Sequence, residues 1–145
     1  MKYLASPYSH PESSVRDERT RQATEAAAVI MVKQGDIVFS PLTHSVPIDQ
    51  YIRKQYGMEF GYEVWVQKVD LHILNKCSAL YVLLLKGWDS SKGVRMEIDH
   101  AVKNGIPIIP LLPIISSKGH VIDVTQVVDS GDLDDFQDAI EGGLG

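Results

Sequence analysis

Two carboxylates in this chain, Glu97 and Asp70, lie in surroundings that point beyond ordinary surface chemistry. Glu97 belongs to "GWDSSKGVRMEIDHA", residues 87–101, and follows a Ser90-Ser91-Lys92-Gly93 loop that leads into a helical pattern. Free N–H groups and the helix dipole at such a start favour an anion, and small residues let a phosphate or hydroxyl approach. Glu97, Ala101 and Gly105 recur at helical spacing, which turns Glu97 inward among small residues. Asp70 lies between Val69 and Leu71, with Val66 and Ile73 as further neighbours. A carboxyl beside an apolar stripe has a raised pKa and can hold a proton.

Other side chains could serve a ligand from the loops. His10 and His44 each follow a strand end, and Tyr8 and Trp88 offer rings that could stack on a flat molecule. Each group also has a plainer reading. Glu97 would be a surface helix carboxylate paired with Lys92 or Arg95, and Asp70 an exposed one near Lys68. The two histidines would be surface loop residues, Tyr3 core, and Tyr8 and Trp88 loop packing. The Ser-Ser-Lys-Gly loop would be an ordinary helix cap.

The common nucleotide signatures are missing. No G-x-x-x-x-G-K-[ST] occurs, and no G-x-G-x-x-G follows the first strand, so ATP hydrolysis and dinucleotide redox chemistry lose their usual marks. No cysteine pair or His-x-x-x-His spacing points to a metal, and no cofactor is expected.

Positioning these groups falls to an alternation of strands and helices. "KYLAS" (2–6) reads as a first strand ended by Pro7, and "VRDERTRQATEAAAVIMVKQG" as a helix closed by Gly35, with Ser13 or Ser14 as N-cap. Its buried face is Ala23, Ala26, Ala27, Ile30 and Met31. "DIVFSP" is a second strand, again ended by proline, and 42–58 reads as a loop with one short helix. "MEFGYEVWVQKVDLHILNKCS" reads as a helix, with Val64-Trp65-Val66 also compatible with a strand. "ALYVLLL" (79–85) fits a strand buried on both faces. A helix to "KNG", a strand at 106–112, an extended "HVIDVTQVV" and an acidic helix "DLDDFQDAIEGG" complete the chain.

This order predicts a single α/β domain: a doubly wound, flavodoxin/Rossmann-like parallel sheet of about four or five strands with helices on both faces. Ligands in such folds bind beyond the carboxyl ends of the strands. The loops after the first three strands, "SPYSH", "SPLTHS" and "KGWDSSKG", should therefore share one pocket, with the 42–63 segment and its His44, Tyr51 and Tyr56 on another side.

Composition narrows the partners. The 145 residues carry a formal charge of −5, which argues against a nucleic-acid polymer as partner. Arg16, Arg19 and Arg21 lie among acids and read as a solvated helix face. One cysteine, Cys77, leaves no internal disulfide and fits a reducing, cytoplasmic setting. The opening "MKYLASPYSH" has too short an apolar run for a signal peptide, and no apolar run reaches membrane-span length.

The strand-end segments together carry a resemblance. "YLASPYS", "VFSP", "D…LNKCSALYVLLL" and "S-K-G-V-R-M-E…A…G-I-P", over residues 2–112, resemble the nucleoside 2-deoxyribosyltransferase superfamily. Ser91-x-Gly93-x-x-x-Glu97 after a buried strand, with Asp70 on the preceding helix, is its most specific part. The "GW-x-S-x-G" form is most similar to a little-characterised, often phage-encoded branch near the deoxynucleoside 5′-monophosphate N-glycosidases and cytidylate hydrolases.

The resemblance implies a fold, an activity and roles. Glu97 matches the family nucleophile that attacks C1′ of the sugar, Tyr3 the tyrosine that positions it, and Asp70 the acid beside the base. Ser91 and Gly93 would contact the sugar or its 5′-phosphate. Serine at position 91, where the transferases carry an aspartate, favours a nucleotide over a nucleoside.

One departure pulls the other way. The monophosphate hydrolases carry a glycine- and arginine-rich loop after strand one, where this chain has "SPYSHPESS". A phosphate would then need Ser6, Ser9, His10 or Arg16, while Asp89 offers a transferase-like alternative at a longer spacing. The activity implied is hydrolysis of a (deoxy)nucleoside 5′-monophosphate to a free base. Deoxyribosyl transfer between bases, or a nucleotide-binding module without turnover, are the alternatives. A homodimer is also implied, with Asp123 and Thr125 as candidates to complete a neighbour's pocket.

Overall fold

The computed structural model describes residues 1–127, 134 and 136–141. Its strands are β1 (Lys2–Ala5), β2 (Val38–Phe39), β3 (Ala79–Leu83), β4 (Ile108–Ile115) and β5 (Val121–Gln126). They form one sheet in the order β2-β1-β3-β4-β5, parallel from β2 to β4, with β5 antiparallel to β4. The helices are α1 (Ser13–Gln34), α2 (Pro41–Tyr56), α3 (Leu71–Leu74) and α4 (Lys92–Lys103). A π-helix over Glu63–Asp70 runs directly into α3. The chain is thus a single α/β domain with a Rossmann-like, mostly parallel sheet.

Every residue of β3 is buried, as its unbroken apolar run requires for a strand covered on both faces. Alternation splits the sheet between two cores. Tyr3, Ala5, Leu80 and Val82 pack with Leu74, Val94, Ile98 and Ala101 on one side. Leu4, Tyr81, Leu83 and Leu111 pack with Ala26 and Ile30 of α1 on the other. Registers Tyr3↔Leu80 and Tyr81↔Ile109 hold the central strands level, so β1 and β3 end side by side. The strand order reverses at β1, the position at which doubly wound sheets open a crevice.

Several local expectations are corrected. α1 begins after Glu12, which makes no side-chain cap, and Ser13 and Ser14 lie inside its first turn rather than at the N-cap. Met31 is exposed, one position past the Ala23–Ala26–Ile30 stripe. Residues 42–58 are not a loop with a short helix; α2 occupies most of them. Proline at the first position of α2 supplies a pre-set φ where no N–H partner is needed, so Ser40-Pro41 starts a helix as well as ending a strand. Gly105 lies beyond α4 and is exposed, leaving Glu97 and Ala101 as the buried part of that stripe. The "HVIDVTQVV" segment forms β5. Of the expected acidic helix, 134 and 136–141 are helical, and the rest of 132–143 lies outside the described residues.

Candidate active site at the carboxyl ends of the central strands

A cavity of about 240 Å³ opens where β1, β2 and β3 end. The three segments expected to meet do so: Ser6, Tyr8 and Ser9 follow β1, Pro41, Leu42 and Ser45 follow β2, and Ser91 and Gly93 follow β3. Its volume lies just below the ~300–1,000 Å³ of drug-sized sites, which suits a compact ligand.

Arg19 sets the distance between two of these walls. Its Nη1 donates to the Ser9 and Tyr8 carbonyls at 2.7 and 3.4 Å, and its Nη2 to the Lys86 carbonyl at 3.1 Å. Gly87 makes room for this clamp. Its φ of +96° is one that L side chains avoid, and a Cβ there would lie 2.5 Å from Arg19 Nη2. Arg16 donates to the His10 and Pro11 carbonyls, and Arg21 to Glu25 and the Gly119 carbonyl. The arginines of α1 are therefore internal ties, not the purely solvated face expected from their acidic neighbours.

α4 carries Glu97 into the cavity wall. Ser91 caps that helix, its Oγ accepting from the Val94 N–H at 3.2 Å, and one turn later Glu97 is only 5% exposed. Burial raises its pKa to about 8, helped by the charge of Asp70 and partly offset by contact with the Tyr3 hydroxyl. That contact falls short of a full hydrogen bond, since Tyr3 Oη and Glu97 Oε2 are both buried without a partner. Tyr3 itself is fully buried, and burial with the nearby Glu97 and Asp70 charges pushes its phenol well above the usual range.

Asp70 arrives from the end of the π-helix. It is 5% exposed, and burial raises its pKa to about 7. Tyr62, also in the wall, is shifted to about 12 by burial and by the charges of Glu97 and Asp70. Lys92 lies over its ring, with Nζ 5.4 Å from the centroid. Ser6 Oγ, Tyr62 Oη, Asp70 Oδ1 and Glu97 Oε2 are all buried, unpartnered and part of this one wall. Native interiors rarely leave such atoms unsatisfied, and their convergence on one wall suits ordered water or the polar groups of a ligand. Two buried carboxyls raised toward neutrality, one to about 8 and one to about 7, can take different protonation states, as a nucleophile and a general acid require.

Of the residues singled out in the sequence, Ser6, Tyr8, Ser9, Asp70, Ser91, Gly93 and Glu97 line the cavity, and Tyr3 lies against Glu97. His10, His44, Trp88 and Asp89 do not line it. His10 Nδ1 accepts from the Glu12 N–H at 3.0 Å, and the exposed His44 ring lies 5.7 Å from Phe39. Trp88 packs on Phe136 at 5.3 Å, and Asp89 is exposed in a short 3₁₀ turn. Asp123 and Thr125 lie on β5, away from the cavity, with Asp123 paired to Lys33 at 3.1 Å. Among the described residues, no three His, Cys, Asp or Glu side chains converge as a metal site. Nor is any described helix long and apolar enough to cross a membrane.

The 42–63 segment forms another wall, as expected, but through α2 and the start of the π-helix rather than through the aromatic residues expected there. Leu42, Ser45, Val46, Asp49 and Arg53 line it at helical spacing, facing Phe60, Tyr62, Trp65 and Val66. Tyr51 and Tyr56, expected there, are exposed and pack on each other at 6.5 Å. The signal for this wall was the stripe 42-45-46-49-53, which has meaning only once α2 is read as a helix.

In fold and site this is an α/β protein with a paired-carboxyl cavity at its strand ends. The chain belongs to the family described as Domain of unknown function (DUF1937), which it matches over residues 1–111. The matched span contains every residue that lines the cavity. Comparison with curated proteins finds no match.

Proposed function

We propose that this protein is an N-glycosidase that cleaves the bond between base and sugar in a (deoxy)nucleoside 5′-monophosphate and releases the free base. The observation that carries this is Glu97: a buried carboxyl in the cavity wall, touched by the Tyr3 hydroxyl and close enough to Asp70 to feel its charge. The resemblance to the nucleoside 2-deoxyribosyltransferase superfamily assigns the same three residues to nucleophile, positioning and acid.

In the first step a Glu97 carboxylate oxygen bonds to C1′ as the C1′–N bond breaks. The bonding pair leaves with the base, which takes the Asp70 proton. In the second, water attacks C1′, Asp70 takes its proton, and the sugar–Glu97 ester bond breaks to restore the carboxylate. Burial alone favours the proton on Glu97. A full hydrogen bond from Tyr3 to Glu97, and a base nitrogen accepting from Asp70, move the proton to where the first step needs it. Ser6, Ser9, Ser91 and the start of α4 are the groups that would hold the phosphate.

A second reading, sugar transfer between bases of unphosphorylated nucleosides, is favoured by one observation. The cavity is lined by Asp49, Glu59, Asp70 and Glu97 against one cation, Arg53, which already pairs with Asp49 and Glu59. A wall so acidic disfavours a phosphate dianion. Either reading goes with a cytoplasmic protein working as a homo-oligomer. Incubation with each nucleoside and 5′-monophosphate, with and without a second base, decides the matter by chromatography. Free base from a monophosphate supports hydrolysis, a new nucleoside supports transfer, and no product from any compound refutes both.

A further inference from the structure

The corner of the cavity formed by Asp49, Arg53, Glu59, Phe60 and Trp65 is a built network with an open edge. Asp49, whose side chain is largely buried, takes two donors: Trp65 Nε1 at 3.1 Å on one oxygen and Arg53 Nε at 2.8 Å on the other. Glu59 holds Arg53 Nη2 at 3.0 Å. The guanidinium is thereby pinned from two sides, although it is half-exposed, and its Nη1 has no partner among the described residues. Phe60 and Trp65 stand beside it as an aromatic pair, ring centroids 5.8 Å apart. All five residues line the same cavity as Glu97 and Asp70.

We propose that Arg53 is the specificity-determining residue of this cavity, reading an oxo group on the ring of the bound base, so that oxo bases are taken in preference to adenine. Guanidinium offers donors only, held in a rigid fork. With Nε and Nη2 engaged by Asp49 and Glu59, the unpartnered Nη1 is the donor from which a ring carbonyl would accept, and contacts of arginine with ring carbonyls discriminate between bases. Adenine has no ring carbonyl, and its exocyclic amino group, a donor, cannot accept from Arg53 in its place. The Phe60–Trp65 pair supplies an apolar surface for a planar ring. Electrostatics separate this role from phosphate binding. Two carboxylates already offset the Arg53 charge, so the corner offers hydrogen bonds without the positive potential that holds a dianion.

The inference rests on reading the cavity as a nucleobase site, but not on cleavage, and its test uses ligands that have no glycosidic bond. Calorimetric titration of the full chain with hypoxanthine and with adenine is expected to give at least about tenfold tighter binding of hypoxanthine. Arg53→Gln is expected to bring that ratio close to one. Asp49→Asn, which loosens the guanidinium, is expected to shrink the ratio without abolishing it. Equal or tighter binding of adenine, an unchanged ratio in Arg53→Gln, or no binding of either base overturns the proposal. So does an Arg53→Gln defect confined to inosine 5′-monophosphate with hypoxanthine unaffected, which identifies a phosphate anchor. A clear hypoxanthine preference without base release from any nucleotide would sink the glycosidase and leave Arg53 in its role.

Discussion

The hydroxyl of Tyr3, in the middle of β1, lies against the carboxyl of Glu97, one turn into α4, and Tyr3 Oη and Glu97 Oε2 are both buried without a hydrogen-bond partner. A buried phenol with no partner contributes little to stability, because its desolvation is not offset. Its value lies in what it can donate to a Glu97 carboxylate. Tyr3→Phe is therefore expected to leave the melting temperature unchanged or slightly raised. The same change should lower kcat for base release about 100-fold with KM little altered. Parallel thermal melts and steady-state kinetics check both halves.

Burial of Glu97 and Asp70, which raises both carboxyls toward neutrality, sets the pH dependence expected of the proposed reaction. With pKa values near 8 and 7 in the free protein, the singly protonated pair is most populated between those values. A bell-shaped kcat/KM profile with its maximum near pH 7–8 is expected. Asp70→Asn should abolish the alkaline limb and reduce the rate about 10²–10⁴-fold. A flat profile from pH 5 to 9 contradicts these roles for Glu97 and Asp70.

Stability carries the same signature with a definite sign. Glu97 has its folded pKa raised from 4.5 to about 8, so the folded chain keeps a proton that the unfolded chain releases. Its contribution to stability is whole below about pH 4.5 and is lost as pH rises through about 8. Glu97→Gln, uncharged throughout, is expected to melt higher than the unmodified chain at pH 9, with the gap closing toward pH 5. Melting curves at the two pH values suffice, and a gap that widens toward acid contradicts the burial of an ionisable Glu97.

The Arg19 clamp predicts two effects that do not simply add. Arg19→Ala frees the loops after β1 and β3 from each other and is expected to lower kcat/KM about 10- to 100-fold, without rescue by lysine, which lacks the fork. Gly87→Ala suffers both the left-handed backbone and the collision with Arg19. In the Arg19→Ala background only the backbone penalty of about 1–2 kcal/mol should remain. A double-mutant cycle in denaturant measures the difference, and strict additivity refutes the contact.

What the sequence disclosed followed from how strong each local signal was. β3 was legible because seven apolar residues in a row leave no other place in a small α/β domain, and α4 because Ser91 caps an amphipathic stretch. The meeting of three strand-end loops followed from chain order alone. α2 was obscured because its first turn begins at a proline that also ends β2, and because Pro47 interrupts its pattern. With the helix hidden, aromatic side chains stood out, so Tyr51 and Tyr56 were expected in the wall that Asp49 and Arg53 occupy. Trp88 was misplaced for a different reason: its ring is covered by Phe136, a partner far along the chain that no local pattern announces.

A covalent sugar adduct on Glu97, which the proposed glycosidase reaction requires, offers the most direct test of the central claim. The protein is quenched in acid during turnover of a deoxynucleoside 5′-monophosphate that it cleaves, and its peptides are mapped by mass spectrometry. A deoxyribose 5-phosphate adduct on Glu97, absent from Glu97→Gln, which also loses base release at least about 10³-fold, is the expected result. An adduct on another residue, or base release by Glu97→Gln at the unmodified rate, contradicts it.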